Sequence, residues 1–178
     1  MKAYFSTFET DIGLFSLAVD ESGVVVASAF GGLEGLKRQR RESVEFIADE
    51  KRTATPRAQI TEYLAGERVS FDLIVAGEGS EFQQRVWKAL REIPRGQTRS
   101  YGALAKELRS SARAVGRANA TNPICVIVPC HRVIGADGSL TGFAFGVEIK
   151  RRLLVLEGAY GSVSPAAANP SDHFDRLQ

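Results

Sequence analysis

The 178-residue chain is predicted to fold as an α/β (α+β) N-terminal domain followed by a mainly α C-terminal domain that contains a helix-turn-helix and an active-site strand and loop. Three observations predict this. Strand-like runs and a hairpin turn concentrate before residue 76, whereas capped, amphipathic helix patterns follow residue 80. The charge divides at the same place: residues 1–79 carry 9 Lys/Arg against 13 Asp/Glu, a net −4, and residues 80–157 carry 13 against 6, a net +7. Residues 158–178 carry 1 against 2, completing the overall +2. The boundaries follow: 1–79 as scaffold, 80–158 as the chemical domain, and 159–178 as a tail.

Bulk properties narrow the class. At 44% hydrophobic and 25% charged the composition is that of a folded soluble protein, neither disordered nor membrane-embedded. No apolar stretch approaches a membrane span, and Met1-Lys2-Ala3-Tyr4 lacks a signal-peptide core, which predicts a cytoplasmic protein. Cys125 and Cys130, five residues apart in an extended run, are poor disulfide partners and fit a reduced compartment. A zinc site would need both cysteines and both histidines; their spacing fits no zinc pattern and His173 lies in the tail, so no metal is expected. The basic second half fits a nucleic-acid-binding module, with a solvated mixed surface as the alternative.

In the first domain, Leu14-Phe15-Ser16-Leu17-Ala18-Val19, the turn Asp20-Glu21-Ser22-Gly23 and Val24-Val25-Val26-Ala27 form a predicted hairpin. The highly charged stretch 34–50 is either a loosely packed helix or a loop. Ile60, Tyr63 and Leu64 at helical spacing predict a helix over 56–64, stopped by Gly66. Residues 69–75 are a predicted strand leading to the boundary Ala76-Gly77-Glu78-Gly79. No chemical constellation is present here.

The second domain opens with Ser80-Glu81-Phe82-Gln83, a capping box, and an apolar stripe of Phe82, Val86 and Leu90 ending near Pro94. Ile93-Pro94-Arg95-Gly96 is a turn. Ser100 can cap a helix over 101–108 with Leu104, Ala105 and Leu108 inward, and Arg109-Ser110-Ser111 joins it to a second helix over 112–120. Two short helices with a three-residue join fit a helix-turn-helix. On the second, Arg113, Gly116, Arg117 and Ala120 share one face, and Val115, Ala118 and Asn119 another. A thin basic helix can approach a nucleic-acid backbone closely, even in a minor groove; alternatively, Ala and Gly merely permit tight helix packing.

Next comes Ile124-Cys125-Val126-Ile127-Val128, a predicted buried strand, and then Pro129-Cys130-His131-Arg132-Val133. A thiol beside an imidazole is a candidate nucleophile and base. Free Cys is often simply buried, but a His and an Arg directly after a core strand are costly to bury without purpose. Neighbours in an extended chain point to opposite faces, so Cys130 and His131 would communicate through a bridging water unless the chain turns. A carboxylate on His131 would raise its basicity and fix its tautomer. Glu157 is the candidate: it ends a helix over 147–157 that carries Leu153, Leu154 and Leu156, a place where negative charge opposes the helix dipole and asks for a partner. An exposed Glu with a small penalty is the alternative. Ile134-Gly135-Ala136-Asp137-Gly138 is a turn, 141–146 an aromatic-rich loop, Gly158 the helix stop, and the Ala/Ser/Pro-rich segment from 161 a flexible tail.

Taken together, Phe82-Gln83-Gln84-Arg85-Val86-Trp87, Ile93-Pro94-Arg95-Gly96, Ser100-Tyr101-Gly102-Ala103-Leu104-Ala105, Arg113-Ala114-Val115-Gly116, Asn119-Ala120-Thr121-Asn122-Pro123, Val128-Pro129-Cys130-His131-Arg132-Val133-Ile134-Gly135 and Leu153-Leu154-Val155-Leu156-Glu157 resemble, in order, the O6-alkylguanine-DNA alkyltransferases (methylated-DNA–protein-cysteine methyltransferases). The likeness covers residues 80–157; the first 79 are similar in outline to the family's variable, RNase H-like N-terminal domain. The resemblance implies that an O6-alkylguanine, or an O4-alkylthymine, is flipped from duplex DNA into a pocket beside Cys130. Cys130 would take the alkyl group irreversibly, once per molecule and without a cofactor. His131, backed by Glu157, would take the thiol proton, and Tyr101 would hydrogen-bond or protonate the departing base. Asn122 would hold strand and pocket geometry through its amide. Arg113 would fill the space left by the flipped base, with Ser100, Gly116, Arg117 and Ala120 also at the DNA, and Tyr101, Val133, Phe143 and Ala144 would line the pocket.

The implied partner is double-stranded DNA bound by a monomer, with cooperative assembly along DNA possible in principle, and a nucleoid association if the source is prokaryotic. The join between Leu108 and Arg113 is shorter than in many relatives, and Phe143 stands where many carry Tyr, keeping an aromatic wall without its hydroxyl. Cys125 is either a buried structural thiol or part of the pocket rim. Two rivals are a lesion sensor of the same fold, which would lack the acceptor cysteine, and a thiol hydrolase built on Cys130, His131 and Glu157, which leaves the basic helix unexplained.

Overall fold

The computed structural model describes residues 1–39 and 43–160, a mixed α/β chain that divides into two compact units. The first unit comprises Met1–Ser80 together with Thr121–Val128, and the second Glu81–Ala120 with the chain from Pro129 onward. The return of Thr121–Val128 to the first unit is not visible in the charge or turn pattern. The tail from 161 lies outside the described residues. Among those described, no helix is long and apolar enough to cross a membrane.

The first unit is built on a four-stranded sheet of order β3-β2-β1-β4, with β1 Lys2–Glu9, β2 Leu14–Val19, β3 Val25–Phe30 and β4 Glu45–Ala48. The predicted hairpin is β2–β3; β1 pairs antiparallel with β2, and β4 parallel with β1. The register puts Phe15 opposite both Phe8 and Phe30, with ring centroids 6.0 and 4.9 Å away, a cross-strand aromatic row. The charged stretch 34–50 resolves at its ends into α1 Leu33–Arg38 and β4; residues 40–42 lie outside the described set. Helix α2, Ala54–Leu64, buries Ile60, Tyr63 and Leu64 as the spacing predicts.

Two predicted strands are corrected. Residues 69–75 make only an isolated parallel bridge, Val25 to Val75. The free edge of β3 is divided: Val25 bonds to Ile74 and Ala76, while Ser28 bonds to Pro123 and Cys125. Neither segment can run the length of that edge, and Val69 and Ile74 stay exposed. The apolar run 124–128 is likewise not a strand but a tight turn. Ile127 N–H donates to the Cys125 carbonyl across Val126, which sits at φ +72°, a strained conformation for a β-branched residue. Asn122 holds this turn: its Oδ1 accepts from Ile124 N–H at 3.0 Å and its Nδ2 donates to the Val128 carbonyl at 2.9 Å.

The second unit contains α3 Glu81–Arg91, α4 Tyr101–Glu107, α5 Ala112–Ala120 and α6 Val147–Leu156, with a two-stranded parallel pair, β5 Arg99–Ser100 and β6 Val133–Ile134. Val86 and Leu90 of the predicted stripe are buried, and the Trp87 indole donates to the Ala118 carbonyl at 2.9 Å, fastening α3 to α5. The Ser100 hydroxyl accepts from Ala103 N–H, the predicted cap. On α5, Val115, Ala118 and Asn119 are buried while Arg113, Arg117 and Ala120 are exposed, as their helical spacing requires.

Candidate active site

Cys130 does not continue an extended chain. It opens a 3-10 turn, Cys130–Arg132, closed by Arg132 N–H on the Pro129 carbonyl. In such a turn successive side chains lie about a third of a revolution apart, so the thiol and the imidazole face different directions, though not for the reason an extended strand would give. Immediately after it, β6 pairs with β5, which ends at Ser100, the cap of α4. That pairing ties the thiol turn to the helix start that carries Tyr101. Asn119 of α5 donates to the Cys130 carbonyl at 3.2 Å, a second tie between the basic helix and the thiol turn.

His131 is fully buried, and its Nε2 lies 2.7 Å from Glu157 Oε1. Arg132 binds the same carboxylate with two prongs, Nε to Oε2 at 2.9 Å and Nη2 to Oε1 at 3.0 Å, while its Nη1 donates to the Ile93 carbonyl at 2.7 Å. Burial alone would raise the Glu157 carboxyl, but hydrogen bonds and charge from His131 and Arg132 outweigh it and hold it well below the usual carboxylate range. Glu157 is therefore an anion and an acceptor only, so His131 Nε2 carries the proton it donates. Nδ1 is left as the basic nitrogen, buried and without a hydrogen-bond partner among the described residues. Burial pushes the His131 pKa down; the Glu157 hydrogen bond and charge oppose this, and the charges of Arg132 and Lys150 add to it. The imidazole is neutral at physiological pH.

A second cluster surrounds Tyr101. Its hydroxyl donates to the Thr141 carbonyl at 3.2 Å, and burial, followed by the Cys130 charge, pushes its pKa up to about 12. Lys150 of α6 is completely buried, donating to the Val133 carbonyl at 2.6 Å and the Thr141 carbonyl at 2.8 Å, with Nζ 5.8 Å from the centre of the Tyr101 ring. Gly142 stands at φ +73°, and a Cβ there would lie 3.1 Å from the Tyr101 hydroxyl, so both backbone and space favour glycine. Phe143 follows, half-buried and edge-on to Phe145, and Ala144 is exposed.

The structure thus joins His131 to Glu157 on the turn that Cys130 opens, and joins Tyr101 to Val133 through Lys150 and Thr141. Gly116 is half-buried rather than open, with room for a Cβ 3.8 Å from the Tyr101 ring. Asn122 belongs to the first unit, where its amide closes the 122–128 turn. Three residues of the site were not singled out from sequence: Arg132 as the second holder of Glu157, Lys150, and Asn119 as the tie to Cys130. Lys150 was detectable, since it lies three and four residues before the buried Leu153 and Leu154 and hence on the apolar face of α6.

Residues 81–159 match the family described as "6-O-methylguanine DNA methyltransferase, DNA binding domain". Over 160 residues the chain is 47% identical to a methylated-DNA–protein-cysteine methyltransferase of Methanosarcina acetivorans, covering 88% of this chain and 99% of that one. The solved Mycobacterium tuberculosis O6-methylguanine methyltransferase is similar with a TM-score of 0.76 at 37% identity, covering 94% of this chain and 99% of that one. An OGT from the same organism, solved in complex with DNA, is similar with a TM-score of 0.74 at 40% identity, covering 89% and 96%.

The carboxylate cluster predicts an acid-sensitive fold. The folded-state pKa of His131 lies below its ordinary 6.5 and that of Glu157 below its ordinary 4.5, so the unfolded chain binds more protons as pH falls. Stability is full above pH 6.5 and declines below it, first through His131 and then through Glu157. Glu157→Gln, which leaves the Arg132 charge buried without its counter-ion, is expected to destabilise the protein by about 3 kcal/mol at neutral pH. Urea denaturation at a series of pH values checks both; a pH-independent midpoint would contradict the assignment.

Proposed function

The chain belongs to the methylated-DNA–protein-cysteine methyltransferase family, and from that premise we propose how its residues carry out direct-reversal repair of alkylated DNA. The protein removes the alkyl group from O6-alkylguanine and keeps it on Cys130. The observation that carries this reading is the 2.7 Å bond from His131 Nε2 to Glu157, which leaves a bare Nδ1 on the residue next to the thiol.

His131 Nδ1 takes the thiol proton through one bridging water. The Cys130 thiolate then attacks the alkyl carbon; the new S–C bond forms as the C–O6 bond breaks, and the electron pair stays on the guanine. Tyr101, held as a phenol by its burial, donates a hydrogen bond or its proton to that departing base, where negative charge develops. The thioether has no route back to thiol, so each molecule acts once and needs no cofactor. O4-alkylthymine is a second substrate of the same chemistry.

Residues 80–158, apart from 121–128, which belong to the first unit, form the DNA-binding and alkyl-acceptor domain, with α4 and α5 as its helix-turn-helix and residues 1–79 as an RNase H-like scaffold. The exposed Arg113 and Arg117 on α5 support the DNA-facing role. Arg113 fills the stack after the base is flipped, Ser100, Gly116 and Ala120 let the backbone approach the strand, and Tyr101, Val133, Phe143 and Ala144 line the base pocket. Asn122 closes the turn that precedes Cys130 in the chain. The protein acts as an intracellular monomer on duplex DNA. A lesion sensor that binds without reacting is disfavoured by the presence of Cys130 itself.

Incubation with duplex DNA containing O6-methylguanine is expected to add one methyl group per chain, mapped to Cys130 by intact-mass and peptide analysis. Cys130→Ala should abolish it while lesion binding persists, and an unchanged wild-type mass with tight binding would establish the sensor instead. Arg113→Ala is expected to slow repair of duplex DNA by about 10-fold or more, through the lost flipping energy, while sparing reaction with free O6-benzylguanine. Equal losses on both substrates would remove Arg113 from base flipping.

A further inference from the structure

The motif Ile93-Pro94-Arg95-Gly96 and the buried Arg132 take no part in the steps above, yet both converge on Glu157. Arg132 grips the carboxylate with two prongs and reaches with its third nitrogen to the Ile93 carbonyl. From the same turn, Arg95 Nη2 donates to the Leu156 carbonyl at 3.1 Å. Gly96, at φ +86°, lies so close that a Cβ would be 3.1 Å from the Glu157 carbonyl oxygen. The residue behind His131 is thus held at both ends, backbone and side chain, by one turn and one guanidinium.

We propose that Arg132 is a positioning residue for alkyl transfer, locking the Glu157 carboxylate in the orientation that receives His131 Nε2–H and balancing its charge so that the imidazole does not face a lone anion. The proposal rests on the functional reading above and extends it. A carboxylate at a single bond can rotate; one bound through both oxygens to a planar guanidinium cannot without breaking two hydrogen bonds. An uncompensated buried carboxylate beside His131 would also draw a proton onto the ring, and an imidazolium cannot accept the thiol proton. The charged groups acting on His131 are Glu157 at the end of α6, Arg132 within the turn and Lys150 on α6; the buried side chains of α3 are apolar. Tyr101, of α4, is held as a phenol. Of the two cations, Arg132 donates to Glu157 through both Nε and Nη2.

Two variants test this, each read by single-turnover methyl transfer across about pH 5–9 and by NMR titration of the His131 ring. Arg132→Met is expected to raise the acid limb of the rate profile, and the His131 titration with it, by about one pH unit or more. Arg132→Lys, which keeps the charge and loses the fork, is expected to leave the limb near its wild-type position, to lower the plateau by about 10-fold and to give His131 a mixture of tautomers. The proposal is overturned by a folded Arg132→Met protein whose limb and His131 titration match wild type, and equally by Arg132→Lys with the wild-type plateau and a single tautomer. If Arg132→Met does not fold, Arg132→Lys decides alone. Wild-type protein that transfers no methyl group would instead refute the functional reading, while the ring titration would still report on Arg132.

Discussion

A carboxylate buried at the C-terminal end of a helix is the constraint around which the second unit is arranged. Glu157 caps α6 where the helix dipole is negative, in a site with almost no exposure to water, and both circumstances disfavour its charge. It is an anion only because His131 and Arg132 supply hydrogen bonds and opposing charge. These are consecutive residues, presented together because the chain turns at Cys130–Arg132. The turn that satisfies the carboxylate is the turn that places the thiol, so the electrostatics of Glu157 and the position of Cys130 have a single structural cause.

The same economy links the basic helix to the nucleophile. Asn119 is on the buried face of α5, opposite the exposed Arg113 and Arg117, and bonds the Cys130 carbonyl. Ser100 caps α4 and ends β5, whose pairing with β6 begins at Val133, three residues past the thiol. Lys150 gathers Val133, Thr141 and the Tyr101 ring around a buried cation. Such a charge is expensive in an apolar interior and is tolerated here because two carbonyl dipoles point at it. The arrangement of Val133, Thr141 and Tyr101 is set by this lysine as much as by the aromatic residues.

Much of this was legible in the sequence. Helices α3 to α6, the Ser100 cap, the division of α5 into a buried and a basic face, and the Glu157–His131 partnership all follow from local spacing, capping and dipole arguments, which depend on nearby residues. What failed depended on distant ones. Apolarity marked 124–128 as buried but could not distinguish a strand from a turn, because the outcome is set by competition for the edge of β3 and by the Asn122 amide. Residues 69–75 failed for the same reason. Strand β1 was missed because Lys2–Glu9 lacks clean alternation, its pattern being set by neighbours on both sides. Arg132 was seen as costly to bury, but its partner lies 25 residues away and no local rule names it.

The central claim is that Glu157 fixes His131 as the neutral tautomer with its proton on Nε2 and a bare, basic Nδ1 available to the Cys130 thiol. The most direct test is ¹⁵N NMR of the imidazole in the unreacted wild-type protein at neutral pH, where His131 and His173 are the only two histidines to assign. His131 is expected to show a protonated Nε2 and an unprotonated Nδ1. A ring protonated at Nδ1, whether as the other neutral tautomer or as imidazolium, would contradict it.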